Sequence, residues 1–257
     1  MGLDAGLARA GYRVVCVDQR GHGHSAHGWR PITESLLADD AIALVEKLRL
    51  GPVTLVGHSL GGQVASVVAA RRPDLAKTIV LVESFFPTGA PPLGPLAPVF
   101  MLIAGIKRVF MVHFLFRLGL VGHAKVLKNF VGAQWAADPA NRQARDTLLA
   151  AMLLASPLGR LTIGARFLTA SGRVSPKDLE GVRVEGVVGL SDTEFTAGTW
   201  PGTVEKAEAA FPGLRVRKVE GSSHTPWAEK PDETLRAVLE AVRGADDPAV
   251  KGGCLKG

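Results

Sequence analysis

Val53-Thr54-Leu55-Val56-Gly57-His58-Ser59-Leu60-Gly61-Gly62-Gln63 decides the fold. The apolar, β-branched run from Pro52 to Val56 reads as a buried strand. Gln63 to Arg71 reads as a helix, stopped near Arg72 by Pro73. Between them stands G-x-S-x-G, from Gly57 to Gly61. A turn this sharp between strand and helix holds its central residue in a strained conformation and lifts the Ser59 hydroxyl above the sheet. The flanking glycines carry no side chain to collide there. The Leu60 amide then lies at the positive end of the helix, where it can hold a developing negative charge.

Further strands and helices follow in both directions. Tyr12 to Val17 is a short Val-rich run and reads as a strand. Leu37, Ala41, Leu44, Val45 and Leu48 recur at helical spacing, so a helix is expected over Ile32 to Leu48. Thr78 to Val82 is a third strand, Gly186 to Gly189 a weak fourth and Leu214 to Val219 a fifth. Leu235, Val238, Leu239 and Val242 mark one face of a last helix. Strands alternating with helices give the fold class: α/β, a mostly parallel sheet covered by helices on both faces.

The stretch between the third and fourth strands lacks strand character and is mostly helical by pattern from Val99 to Leu168. An insert this long in a sheet protein is usually a cap or lid. The expected organisation is a core of residues 1–86 and 176–243, a helical cap insert at 87–175, and a flexible tail at 244–257.

A serine hydroxyl needs a base. His224, in Gly221-Ser222-Ser223-His224-Thr225-Pro226, follows the fifth strand, at the sheet edge where sites of parallel sheets collect. His58 is too constrained by its turn to serve as base, and His113 and His123 fall in the insert. The base in turn needs an orienting carboxylate. Asp192 follows the fourth strand and is the leading candidate, with Glu194 and Glu83 as competitors. His22-Gly23-His24-Ser25-Ala26-His27 has the spacing of an H-x-H-x-D-H zinc motif, but Ala26 stands where Asp is required, so no metal is expected.

These motifs resemble the α/β-hydrolase superfamily over Gly11 to Val242. Asp18-Gln19-Arg20-Gly21-His22-Gly23-His24-Ser25 resembles its D-x-R-G-x-G-x-S loop, Gly57 to Gly62 its nucleophile elbow, and Gly221 to Pro226 its histidine loop. The resemblance implies a Ser59–His224–Asp192 triad, an oxyanion donor at the Leu60 backbone N–H, a cap over the site, and neither cofactor nor metal. Serine at position 59 implies ester-type chemistry. The family has three strands before the one at Tyr12, and an H-G loop that supplies a second oxyanion donor. This chain reads as α/β-hydrolase-like but N-terminally shortened, so weak activity or none is expected of it.

The composition bounds partners. The chain has 257 residues, 47% hydrophobic and 21% charged, which excludes general disorder. Two cysteines, Cys16 and Cys254, exclude a disulfide scaffold. The net charge of +6 is concentrated between Phe100 and Ser175, where ten Lys and Arg face only Asp138 and Asp146. That segment could associate weakly with anionic lipid, whereas no motif accompanies it that would bind nucleic acid. Met1 to Ala10 has no apolar run of a signal peptide, so a cytoplasmic location is expected. The functional expectation is a serine hydrolase cleaving an ester or related acyl bond of a lipophilic small molecule. A C–C bond hydrolase, a lactonase, a cofactor-free haloperoxidase and a truncated, non-catalytic relative stay open beside it.

Overall fold

The computed structural model describes residues 2–26, 32–87, 130–154, 174–190 and 203–244, with residues 103, 106, 114 and 127. Among the described residues four strands, β1 (Val53–His58), β2 (Ala76–Val82), β3 (Arg183–Leu190) and β4 (Arg215–Glu220), form one parallel sheet in the order β1-β2-β3-β4. The α-helices bounded within the described residues are, in chain order, α1 (Leu3–Arg9), α2 (Glu34–Lys47), α3 (Leu60–Arg71), α4 (Ala133–Ala137), α5 (Arg142–Leu153), α6 (Thr203–Ala210), α7 (Pro226–Glu229) and α8 (Pro231–Arg243).

Alternation along the strands builds two cores. Ile79 and Leu81 of β2 and Val184 and Val188 of β3 bury against α2, α3 and α6. Val80 and Val82 of β2 and Val187 of β3 point the other way, against α1 and α8. A sheet covered on both faces has no solvated side, so its central strands read as continuous apolar runs. β2 is such a run. β3 is longer than the sequence reading and buried from Val184 to Gly189; its glycines weaken the pattern without breaking the ladder. The Thr33 side chain caps α2 by accepting from the Leu36 amide.

The strand expected at Tyr12 to Val17 does not form. Residues 12–19 carry no ladder, and Val15 and Val17 are 42% and 53% exposed. Tyr12 and Val14 pack against the α1–α8 core instead. β-propensity describes the fit to a pleated neighbour, and among the described residues no strand pairs with this run. Among the described residues β1 is therefore an edge strand, with Thr54 and Val56 exposed.

Between β2 and β3, α4 and α5 share a small apolar cluster of Leu127, Val131, Ala136 and Leu149. The apolar run from Val109 to Phe116 lies outside the described residues except for Phe114, and so do eight of the ten basic residues of this stretch and residues 245–257. No helix among the described residues is long and apolar enough to cross a membrane.

Candidate active site

β1 ends at His58, and α3 begins at Leu60, so Ser59 alone makes the turn between them. Its backbone sits at φ 49, ψ −113, a conformation L residues rarely hold unless surroundings enforce it. The enforcement is visible. The Ser59 amide donates to the Val82 carbonyl at 3.0 Å, and its carbonyl accepts from the Ser84 hydroxyl at 2.7 Å. Gln63 then donates to Ser84 Oγ at 3.1 Å and to the Phe85 carbonyl at 2.9 Å. Gly57 is required because a Cβ there would collide with the Gly61 carbonyl. The Leu60 amide belongs to the first turn of α3, where amides have no intrahelical acceptor.

The histidine loop closes over this turn from β4. Ser222 Oγ donates to the Val219 carbonyl at 2.9 Å, and the Gly221 amide to the Leu190 carbonyl at 3.1 Å. Gly189 leaves room for the loop, since a Cβ on it would lie 2.6 Å from the carbonyls of Ser222 and Ser223. His224, 4% exposed, thereby puts Nε2 3.1 Å from Ser59 Oγ. Its Nδ1 lies 3.5 Å from Glu83 Oε2. Glu83 follows β2, has φ 45, and bridges two strand ends: its amide donates to the Val187 carbonyl and its Oε1 accepts from the Gly189 amide.

His58 is engaged by the histidine loop. Its Nε2 lies 2.8 Å from the His224 carbonyl, which can only accept, so Nε2 carries the proton. The ring packs edge-on against Trp227, 4.1 Å between centroids. Loss of water around the ring holds its pKa well below the ordinary histidine value. The nearby His224 pushes the same way, and the bond to the His224 carbonyl opposes. The fold therefore disfavours a second proton on His58.

The structure thus brings together Ser59, Leu60 and His224 of the expected site, and Glu83 of its competitors. Asp192 and Glu194 lie outside the described residues. Of the zinc-like run, His22 Nδ1 contacts the Arg20 carbonyl and the His24 amide donates to Asp18, while His27 lies outside the described residues. Sequence reasoning missed Ser84, Gln63 and Glu229, which hold the elbow and the histidine loop. For Glu229 a signal existed: Pro226 sets a helical turn directly after the loop, which returns the side chain of residue 229 toward residue 223.

Comparison with known proteins bears on the family and the fold. A Haemophilus influenzae protein that carries an esterase/lipase name is 28% identical over 244 residues, covering 88% of this chain and 72% of that protein. The sn-1-specific diacylglycerol lipase ABHD11 of Mus musculus is 40% identical over 86 residues, 34% of this chain and 27% of that protein. Among solved structures, a bromoperoxidase from Bacillus anthracis superimposes with a TM-score of 0.73 at 24% identity, covering 94% of this chain and 86% of that one. The sequence profile of the Alpha/beta hydrolase family matches residues 1–237, through strands, elbow and histidine loop alike, and on that match the chain belongs to this family of enzymes.

Proposed function

We propose that the chain is a serine hydrolase that cleaves a carboxylic ester or related acyl bond of a lipophilic small molecule. The observation that carries this reading is the 3.1 Å approach of His224 Nε2 to Ser59 Oγ at a strained strand-to-helix turn. The esterase/lipase name of one relative and the diacylglycerol lipase name of another support the acyl substrate class.

In the proposed reaction Ser59 Oγ attacks the acyl carbon while its proton passes to His224 Nε2. The carbonyl π pair moves to oxygen, and the Leu60 amide donates to that oxyanion. The tetrahedral species collapses, the bond to the alkoxy oxygen breaks, and His224 gives its proton to the departing alcohol. Water, deprotonated by His224, then attacks the acyl-enzyme and releases the acid, returning the proton to Ser59. A carboxylate opposite Nδ1 holds the ring in the tautomer that leaves Nε2 free and stabilises the imidazolium. Asp192 takes this role in our reading, on its position after β3. Glu83 is a second reading, favoured by its 3.5 Å distance from Nδ1. The stretch between β2 and β3 acts as the cap over the site.

The test is covalent labelling of the chain by a fluorophosphonate, together with hydrolysis of p-nitrophenyl butyrate. Ser59→Ala and His224→Ala should each abolish both while leaving the melting curve intact. Labelling that persists in Ser59→Ala would sink the serine mechanism.

A further inference from the structure

The loop that carries His224 is buried on every side: Ser222 and Ser223 are 0% exposed, and Thr225 is 3% exposed. Polar groups at that depth need partners. Much of what holds Ser223 and Thr225 comes from outside the sheet. The Ser223 amide donates to Glu229 Oε2 at 2.8 Å. Its hydroxyl lies 2.5 Å from the same oxygen and 2.8 Å from the Phe130 carbonyl. A hydroxyl has one proton, and the shorter, charge-assisted contact takes it. The Phe130 carbonyl is served by the Thr225 hydroxyl at 3.1 Å. The second oxygen of Glu229, Oε1, accepts from the Gly132 amide at 2.7 Å.

Residues 130 and 132, just before α4, are thus tied to the residues on both sides of His224. The Phe130 ring itself lies 5.8 Å from the His224 ring. We infer that Glu229 is a positioning residue of the proposed reaction: its carboxylate fastens the histidine loop to the insert, so that the seating of the insert sets the aim of His224 at Ser59. This rests on the serine-hydrolase reading. A base displaced by about 1 Å costs on the order of 10²-fold in rate, and the loss falls on the chemical step.

The substitution Glu229→Gln isolates the tie. Whichever way the amide turns, its NH2 faces either the Gly132 or the Ser223 N–H, and one of the bonds is lost. Gly132→Pro cuts the tie from the other side. Gly132 already holds φ −60, close to the proline value, so the change removes the amide donor with little demand on its own φ. Both variants should lower kcat on p-nitrophenyl butyrate about tenfold or more, with KM within about threefold. The double variant should be little worse than the more damaged single one, because both cut the same connection. Unchanged kcat in either variant, or a raised KM alone, would overturn the inference.

A second readout is independent of turnover. Groups facing His224 include Glu83, His58 and, through Ser223, Glu229. Removing the Glu229 charge destabilises the imidazolium, so the His224 ring should titrate at lower pH in Glu229→Gln, followed by imidazole NMR. An unmoved titration overturns the coupling even if the enzyme is active. A shifted titration in a chain whose Ser59 resists the fluorophosphonate keeps the coupling and rejects the serine-hydrolase reading. Should Glu229→Gln melt below the assay temperature, Gly132→Pro decides through its kcat.

Discussion

At the scale of single residues, the site is a set of side chains whose partners fix their chemical state. His224 serves as a base only while Nε2 is bare, and that depends on what faces Nδ1. Asp192→Asn should lower kcat by up to about 10⁴-fold, and Glu83→Gln by much less, if Asp192 orients the ring. The reverse ranking, in kcat on a p-nitrophenyl ester, would assign the role to Glu83. His58 makes a prediction about stability. Its pKa in the fold is depressed, so below its ordinary value of about 6.5 the unfolded chain takes up a proton that the folded chain refuses. Stability therefore falls as pH drops below that value, by at most about 1.4 kcal/mol per pH unit. Replacing His58 by Gln, which can still donate to the His224 carbonyl, should flatten the fall between pH 7.5 and 5.5 in urea titrations. Parallel curves for the two proteins would show that His58 takes up its proton in the folded state as well.

At the scale of elements, β3 and β4 are held by more than their ladder. Glu185 on β3 is 2% exposed and accepts from Arg217 on β4 at 2.7 Å, while Arg217 also reaches Glu240 on α8 at 3.4 Å. Arg217→Met removes that partner from a buried carboxylate and should destabilise the fold by about 3–5 kcal/mol. A change under about 1 kcal/mol in chemical denaturation would mean that Arg183, 3.6 Å away, is enough for Glu185. Elements also show what a sequence can tell. The elbow was legible because its constraint is local: glycine at 57, serine at 59 and glycine at 61, with a strand before and a helix after. β2 was legible because both its faces are buried. Tyr12 to Val17 has the composition of a strand, yet a strand is a relation between two segments, and composition cannot supply the second. Glu229 was legible only in part: the helical turn after Pro226 returns it toward residue 223, but nothing local announces its tie to Gly132. Its partners, Ser223 and Gly132, come from separate parts of the chain, and only the folded arrangement brings them to one carboxylate.

At the scale of the whole molecule, the two edges that the sheet has among the described residues are unlike. β4 carries Arg215, Arg217, Lys218 and Glu220, the charges that discourage edge-to-edge pairing. β1 reads Val-Thr-Leu-Val-Gly-His, with no acid, lysine or arginine, and Val56 is 39% exposed. Such an edge is a template for another strand. The chain should therefore self-associate as its concentration rises, and Val56→Lys should suppress this, as read by light scattering. Equal scattering from both proteins would show that the edge is not the contact. The same strand that offers this edge also ends one residue before Ser59. Catalytic output should then follow assembly: specific activity would drift with dilution, initial rates would bend away from proportionality to enzyme, and Val56→Lys would restore a straight line.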